Sequence, residues 1–312
     1  MATSVTDSSY TVVGVSVGLT YKFKVVARNA FGLSDDSAEL AVLAAQVPDQ
    51  PLTPSTSIDG ANVVIDWVAP HDGGSTITGY KVLIRESDGA SFSFELDNCN
   101  GADATVISET QCAVPKLSLR SAPFNLPWGS SIYAKVIAYN IYGDSLESSV
   151  GNGAIILTYP DAPVSVLEVY SERTATTLGL TWSNGAANGG AAVLDYTVSS
   201  DDGTSGVTYS VVESGVLGTQ YTVTSLTPGT TYKFKVKARN TFGLSVFSEA
   251  VTLLCSFVPD APSEPTTTVV GNNVIISWSV PSSNGSPITS YRIKIRQHDG
   301  LYAEELSYCN GQ

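Results

Sequence analysis

The sequence predicts an all-β protein, made of tandem antiparallel β-sandwiches arranged as beads in a rod. Three observations lead to this fold class. Apolar residues recur at every second position in short segments, clusters of Gly, Asn, Asp and Ser separate these segments, and a unit of about a hundred residues repeats along the chain. Period two is typical of half-buried strands, and no stretch has a convincing helical period. The clearest period-two segments are 63–67, 80–84, 221–224 and 232–236.

The repeat is visible as closely similar strings. Residues 22–34 read KFKVVARNAFGLS and residues 233–245 read KFKVKARNTFGLS, which is an offset of 211 residues. The string VPDQP at Val47 returns as VPDAP at Val258 with the same offset. A related string, YAKVIAYNIYGDS, begins at Tyr133 between them. The period of 211 residues therefore holds two units, and alternate units are the more alike.

Residues at matching places in each unit resemble fibronectin type III modules. They are a tryptophan on an early strand, a tyrosine that opens the next strand, and a corner such as LTPGTTY at 226–232, which a Val/Ala/Asn/Gly/Ser run follows. The resemblance covers nearly the whole chain and implies an immunoglobulin-like sandwich in each module. It also implies interior positions for the aromatic rings. These core aromatic residues are Trp67, Trp182, Trp278, Tyr21, Tyr133 and Tyr232.

Short Pro-bearing strings divide the chain into four segments. Residues 47–158 and 159–257 each have the length of a complete module, the first with a Cys-bracketed insertion and a corner one residue longer. Residues 1–46 supply the back half of a module and residues 258–312 supply a front half. Half a sandwich leaves an apolar face and an unpaired strand edge in water. We expect a neighbouring copy of the chain, joined head to tail, or sequence outside this chain to complete both halves.

The cysteines point to an oxidising compartment. Cys99 and Cys112 bracket a polar loop within one module, and a disulfide between them is the expected use. Two reduced, partly buried thiols are the alternative. Cys255 aligns with Ala44, which is typical of a small core residue. Cys309 falls one residue short of the period from Cys99 and belongs to the same loop of the next copy.

One N-glycosylation sequon occurs in the sequence, Asn284-Gly285-Ser286, in the turn after the Trp278 strand. A turn is exposed enough for a glycan at Asn284, although the following proline disfavours transfer. A three-residue motif alone is weak evidence of use.

Charge and hydropathy exclude several classes of partner. The chain has 16 Lys and Arg against 29 Asp and Glu, for a net charge of −13. Such a surface repels the nucleic-acid backbone and anionic membranes. The longest apolar stretches, such as 153–157, fall far short of the roughly 20 residues of a membrane span. We therefore expect neither nucleic-acid binding nor membrane insertion.

The sequence offers little material for catalysis. His71 and His298 lie in turns of different modules, away from any serine or cysteine nucleophile, and no zinc or phosphate-loop spacing occurs. We expect no catalytic residue, no metal and no cofactor, and hence a non-enzymatic protein.

The expected function is structural. The resemblance implies an extracellular or cell-surface protein, a segment of a rod or filament, whose partners are copies of itself and, beyond these, glycans or surface proteins. The alternatives are the ectodomain of a receptor or adhesin that binds protein or glycan through its loops, and an accessory module of a secreted carbohydrate-active enzyme. Fold alone does not separate these functions.

Overall fold

The computed structural model describes residues 5–304, and the chain divides into two compact units that meet between Leu157 and Thr158. Each unit contains one complete β-sandwich and one partial set of strands. The pairings of the named strands are antiparallel, which confirms the predicted all-β fold of tandem antiparallel sandwiches.

The first unit begins with two small pairs of strands. Strand β1 pairs with β4, and β2 pairs with β3. The complete sandwich that follows has a three-stranded sheet, ordered β5-β6-β9, and a four-stranded sheet, ordered β11-β10-β7-β8. The strands are β1 (Thr20–Phe23), β2 (Arg28–Asn29), β3 (Gly32–Leu33), β4 (Leu40–Leu43), β5 (Ser55–Asp59), β6 (Asn62–Asp66), β7 (Gly79–Arg85), β8 (Phe92–Phe94), β9 (Gln111–Pro115), β10 (Ala134–Asn140) and β11 (Gly143–Asp144).

The second unit begins with its complete sandwich. A three-stranded sheet, ordered β12-β13-β16, faces a four-stranded sheet, ordered β15-β14-β17-β18, and two strand pairs, β19-β20 and β21-β22, follow. A 3-10 turn at Tyr170–Glu172 connects β12 to β13. The strands are β12 (Val164–Val169), β13 (Leu178–Ser183), β14 (Asp195–Ser200), β15 (Ser210–Val216), β16 (Gln220–Val223), β17 (Thr231–Arg239), β18 (Val251–Leu254), β19 (Thr266–Val270), β20 (Asn273–Ser277), β21 (Lys294–Arg296) and β22 (Tyr302–Glu304).

Both complete sandwiches have a core of alternating inward residues around a tryptophan. The Trp67 ring packs edge-on against Tyr80 with 5.1 Å between centroids, and Trp182 packs in the same way against Tyr196 at 5.4 Å. Both indoles are almost fully buried. Trp278 repeats the contact with Tyr291 at 5.1 Å but is half-buried, because its strands have no second sheet above them within the described residues.

In a tyrosine corner, the hydroxyl of the corner tyrosine bonds back to the backbone a few residues upstream. Two of the three expected positions follow this pattern. The Tyr232 hydroxyl accepts a hydrogen bond from the Thr227 backbone at 3.0 Å, and the half-buried Tyr21 hydroxyl accepts one from Ser16 at 2.8 Å. Tyr133 is different. It is half-buried on the outer side of its sheet, where the Arg85 guanidinium stacks on its ring at 3.5 Å.

The placement of Tyr133 corrects the expected length of its corner. Ile132 is fully buried at the inward position, and the turn glycine Gly129 donates to Ile156 just as Gly229 donates to Cys255. The two corners therefore have the same length, and the alternation of the strand turns Tyr133 outward.

Helices are the one class of element that the pattern did not predict, and one of them lies in the Cys-bracketed insertion. Two short helices, α1 (Ala104–Glu109) and α2 (Lys116–Leu119), flank strand β9. They have six and four residues, too few to show a helical period in the sequence. The Cys99 and Cys112 sulfurs are bonded, with 5.2 Å between the Cα atoms. The disulfide closes the loop that carries α1. Among the described residues no helix is long and apolar enough to cross a membrane.

Candidate functional site: the junctions between modules

The same pair of backbone hydrogen bonds recurs where each linker enters the next module. In the first unit, the Gln46 amide donates to Gly73 and the Asp49 amide donates to His71, both at 2.9 Å. Each linker is thereby paired to the turn that follows the tryptophan strand, which we call the linker turn (residues 71–75, 186–190 and 282–286). The chain is bonded to the module while it crosses the junction.

The second unit repeats this pairing twice. Thr158 donates to Gly189 and Asp161 donates to Ala187, both at 2.9 Å. Further along, Phe257 donates to the Asn284 carbonyl at 2.8 Å and Asp260 donates to Ser282 at 3.0 Å. Three linkers of different sequence thus share one geometry, and each contains the proline that fixes backbone φ. The linker prolines are Pro48, Pro51, Pro160, Pro163, Pro259 and Pro262.

A buried asparagine ties linker, linker turn and strand end together. The Asn140 amide nitrogen donates to three carbonyl oxygens, of Gln46 at 2.7 Å, Asp72 at 2.9 Å and Ser75 at 3.2 Å. Its Oδ1 accepts the Tyr142 amide at 2.8 Å. Because one amide side chain connects three segments, removing it leaves the three carbonyl groups without this donor.

Asn240 makes the equivalent latch in the second unit. Its amide nitrogen donates to Thr158 at 2.9 Å and to Asn188 at 2.8 Å, and its Oδ1 accepts the Phe242 amide at 2.8 Å. The Phe242 ring packs edge-on against Tyr159 of the linker at 4.8 Å. We call Asn140 and Asn240 the latch asparagines.

The strand that ends just before Asn240 is anchored by an ion pair. Arg239 donates through Nε to the Asp195 carboxylate at 2.8 Å, and a second guanidinium nitrogen contacts the other oxygen. The hydrogen bonds from Arg239 hold the pKa of Asp195 below its ordinary value. The pair joins β14 to β17 one residue before the latch.

The first linker turn needs glycine because the backbones of the linker and of the preceding corner pass very close to it. Gly73 has φ +68°, and a Cβ there would lie 2.5 Å from the carbonyl oxygens of Gln46 and Val47. Gly74 has φ +86°, and its Cβ would lie 2.5 Å from the Gly18 nitrogen of the preceding corner. No side chain fits between these backbones without moving them.

The third linker turn has Asn284 where the first has a glycine. Asn284 keeps the left-handed conformation at φ +50°, and its amide nitrogen donates to Val258 at 2.8 Å and to Asp260 at 2.9 Å. That nitrogen is the atom to which an N-linked glycan attaches. Glycosylation at Asn284 stays a prediction, and it would replace one hydrogen of an amide that is already bonded to the linker.

The corner that precedes the third linker contains the one free cysteine of the described residues. Cys255 is fully buried, its thiol contacts the Ala175 carbonyl at 3.2 Å, and burial raises its pKa. Arg173 supports this corner, since its guanidinium donates to Glu168 and to the carbonyl oxygens of Leu254 and Ser256. A raised pKa keeps the thiol protonated, which suits packing. Cys309 lies outside the described residues.

Comparisons with known proteins agree with this architecture. The family model for the fibronectin type III domain matches residues 162–253. Fibronectin type-III domain-containing protein 3A of mouse is 26% identical over 313 residues, which cover 97% of this chain and 24% of that protein. Residues 162–253 match the fibronectin type III domain, and the chain as a whole is similar to proteins that carry such domains. Titin of Drosophila melanogaster is 25% identical over 92% of the chain and 2% of its own length.

One of the solved structures that the chain matches is the crystal structure of the FN1–FN3 domains of chicken CNTN1. The two sequences are 17% identical, and the match covers 82% of this chain and 84% of the chain in that structure, with a TM-score of 0.36. The chain spans about a quarter of the mouse relative and a far smaller part of titin.

The sequence had signalled the latch asparagines without revealing their role. An asparagine stands at the same place in each repeated string, at 29, 140 and 240, and Asn29 also accepts the amide of its own turn, from Phe31 at 2.8 Å. In the sequence, the position was only the asparagine of the repeated Val/Ala/Asn/Gly/Ser run. Only the fold brings the linker and the linker turn to its amide nitrogen. Within residues 5–304 no group of three or more His, Cys, Asp or Glu side chains is arranged to hold a metal.

Proposed function

We propose that this chain is a non-enzymatic structural segment, part of a rod or filament in which successive fibronectin type III modules are held by latched junctions. The observation that carries the proposal is the Asn140 and Asn240 latch, together with the paired linkers. A flexible tether needs no such bonds, and its linker is rich in Gly and Ser rather than in proline. Here the linker backbone is bonded to the following module.

The first junction, which lies inside the first unit, has enough bonds to resist bending. A buried hydrogen bond contributes about 0.5–1.5 kcal/mol net, and leaving a buried polar group unpaired costs about 1–3 kcal/mol. A hinge at the first linker must break the Gln46 and Asp49 backbone bonds and also the Asn140 bonds. The total free-energy cost of breaking these hydrogen bonds is several times thermal energy, so the junction favours one conformation.

An extracellular or cell-surface location is part of the proposal. Its support is the disulfide between Cys99 and Cys112, since such bonds persist in oxidising compartments.

Head-to-tail assembly with a second copy is also proposed, because matching surfaces are uncovered at the two partial sets of strands. Val25 is 71% exposed, whereas its equivalent in the complete module, Val236, is fully buried. Val274 is 59% exposed, whereas its equivalent Val63 is fully buried. The strands of residues 10–43 carry the sheet residues that 266–304 lack, so each surface is the natural cover of the other.

Electron microscopy of single chains tests the structural proposal. We expect a narrow distribution of bend angles for the wild type and a broad one for the double variant Asn140→Ala, Asn240→Ala. Gln220→Ala, at an exposed position of the same module, is the control and leaves the distribution unchanged. A wild type that bends as freely as the latch variant contradicts a stiff segment and favours the receptor or adhesin alternative.

A further inference from the structure

One strand of the second complete sandwich has a row of lysines on its outer side. Lys233, Lys235 and Lys237 alternate along β17 with the buried Phe234 and Val236. Residues two apart on a strand lie about 6.6–6.8 Å apart on one side, so the row spans roughly 13 Å. We call these three residues the lysine row.

The equivalent lysines elsewhere in the chain are neutralised. Lys24 pairs with Asp36 at 3.3 Å, and Lys135 pairs with Glu147 at 2.9 Å. In the second complete sandwich, the residue equivalent to Asp36 and Glu147 is Phe247. All three precede a serine whose hydroxyl accepts a strand amide in the same way.

Two further substitutions strengthen the difference. Lys22 pairs with Glu39 at 2.8 Å, while the residue equivalent to Glu39 in the second complete sandwich is Ala250. The third position of the lysine row, Lys237, corresponds to an apolar residue in the other two units, Val26 and Ile137. Relative to residues 1–46, the lysine row has gained one cation, Lys237, and lost the two anions at the positions of Asp36 and Glu39, in a chain whose net charge is −13.

Aromatic rings take the place of the missing carboxylates. The Lys235 ammonium lies 4.5 Å from the centre of the Tyr209 ring, and the Lys237 ammonium lies 4.2 Å from the centre of the Phe247 ring. The two rings are 6.1 Å apart. Cation–π contacts hold the lysines in place without cancelling their charge. The result is a rigid cationic surface with an apolar base.

The carboxylates near the lysine row are engaged elsewhere. Asp201, at the Lys233 end, is buried and accepts the amides of Gly203, Gly206 and Lys233. Asp202 accepts the Ser210 hydroxyl. Glu213 on β15 faces Ser214 and Tyr221. Among residues 5–304, no carboxylate forms an ion pair with a member of the lysine row.

We propose that the lysine row is a binding site for an acidic glycan, a linear chain that carries sulfate or carboxylate groups. The row offers three fixed cations at regular spacing, which suits a linear polyanion. Strand β17 is central in its sheet, paired with β14 and β18, so an extended peptide cannot add to it as a strand. Recognition therefore rests on side chains, and the rings of Tyr209 and Phe247 offer an apolar base for sugar rings.

Binding of the full chain to immobilised heparin, a sulfated glycan, tests the site. Phe247→Glu restores the carboxylate that the other two units have at this position, so we expect the fold to tolerate it. The new carboxylate neutralises part of the positive charge of the lysine row. We expect Phe247→Glu and the double variant Lys235→Gln, Lys237→Gln each to weaken binding at least about tenfold, and the dependence of affinity on salt to fall by about two-thirds in the double variant. The matched control, Lys22→Gln with Lys24→Gln, removes neutralised lysines and leaves binding unchanged.

Three outcomes overturn the proposal, and the first two concern the lysine row itself. One is equal heparin binding by wild type, Phe247→Glu and the double variant, with folding verified by circular dichroism. The other is binding of single-stranded DNA as tightly as heparin with the same dependence on the lysine row, because that result indicates a site for any polyanion. Loss of heparin binding in the Lys22 and Lys24 control also contradicts a specific row. None of these results bears on the latch proposal, because no variant changes a latch asparagine.

Discussion

Trp67 and Trp182 show how a single side chain organises a sandwich. Each indole is nearly inaccessible and lies against the tyrosine that opens the next strand, so one contact joins the two sheets. In neither does the buried Nε1 have a hydrogen-bond partner among protein atoms. The energy of this position therefore comes from packing and apolar burial rather than from hydrogen bonding.

Trp182→Ala is expected to destabilise the second complete module by roughly 3–5 kcal/mol, because it leaves a large cavity between the sheets. Chemical denaturation followed by circular dichroism measures the loss. Trp278→Ala serves as the control, since its ring is half-buried and its removal costs less. Equal destabilisation by the two substitutions would show that burial does not set the energy at these sites.

At the scale of elements, the strand pair β14 and β17 depends on the protonation of one carboxyl. Asp195 is nearly buried, and its bonds to Arg239 lower its pKa relative to an unfolded value near 3.9. A lowered pKa means that the folded state holds the proton less tightly than the unfolded chain. The stabilisation is complete above the unfolded pKa and is lost as pH falls through the folded pKa.

We therefore expect Asp195→Asn to lower the stability of the module at neutral pH and to have a shrinking effect as pH falls below about 4. Thermal unfolding of wild type and variant across the range from pH 7 to pH 2 measures this convergence. A difference in melting temperature that stays constant over the whole range would contradict a contribution from the ionised carboxylate. Glu249→Gln, at an exposed position, is the control for the loss of one carboxylate.

The Cys99–Cys112 disulfide holds the insertion that carries helix α1. The cysteines are 13 residues apart, and closure of a loop of this size stabilises by about 3 kcal/mol in the chain-entropy model. The double substitution to Ala is expected to remove that amount and to expose the insertion to proteases. Cys255→Ala, which leaves the disulfide intact, is the control for proteolysis. An insertion that resists cleavage equally with and without the disulfide would count against this role.

The sequence was most informative where a pattern repeats. Alternation along 232–236 predicted the inward residues of β17 correctly, because a strand has only two faces. Tyr133 was placed one residue off, since an aromatic ring was sought at a corner where Ile132 fills the interior. Helices α1 and α2 are too short to leave a period. The latch was not predictable, because its partners are up to 94 residues apart in the chain.

At the scale of the whole molecule, we propose that the uncovered surfaces at 10–43 and 266–304 pair between copies. The complete modules give the expected register, since Val136 pairs with Val82 and Val236 with Val198. By the repeat, these pairs correspond to Val25 of one copy opposite Ile293 of another. Register is strongly specified where one face is buried, because a slip of one residue turns the whole strand over.

Cysteines at positions 25 and 293, with Cys255→Ala and Cys309→Ser to remove free thiols, are expected to form disulfide-linked oligomers under mild oxidation. The out-of-register control carries Val26→Cys with Ile293→Cys. It is expected to form few disulfide-linked oligomers, because position 26 faces outward. Non-reducing electrophoresis and mass spectrometry distinguish the products. A bond confined to single chains, or equal linking by both pairs, would contradict head-to-tail assembly in this register.

The central claim is that the junctions between modules are latched rather than flexible. Hydrogen exchange of the linker amides Gln46, Asp49, Thr158 and Asp161, followed residue by residue with NMR, tests it most directly because each amide donates to a linker turn. The latched junction predicts slow exchange at all four positions. In Asn240→Asp, which keeps the acceptor for Phe242 but loses the amide donors, only Thr158 and Asp161 exchange faster. Linker amides that exchange in the wild type at the rate of an unstructured peptide would contradict the latch.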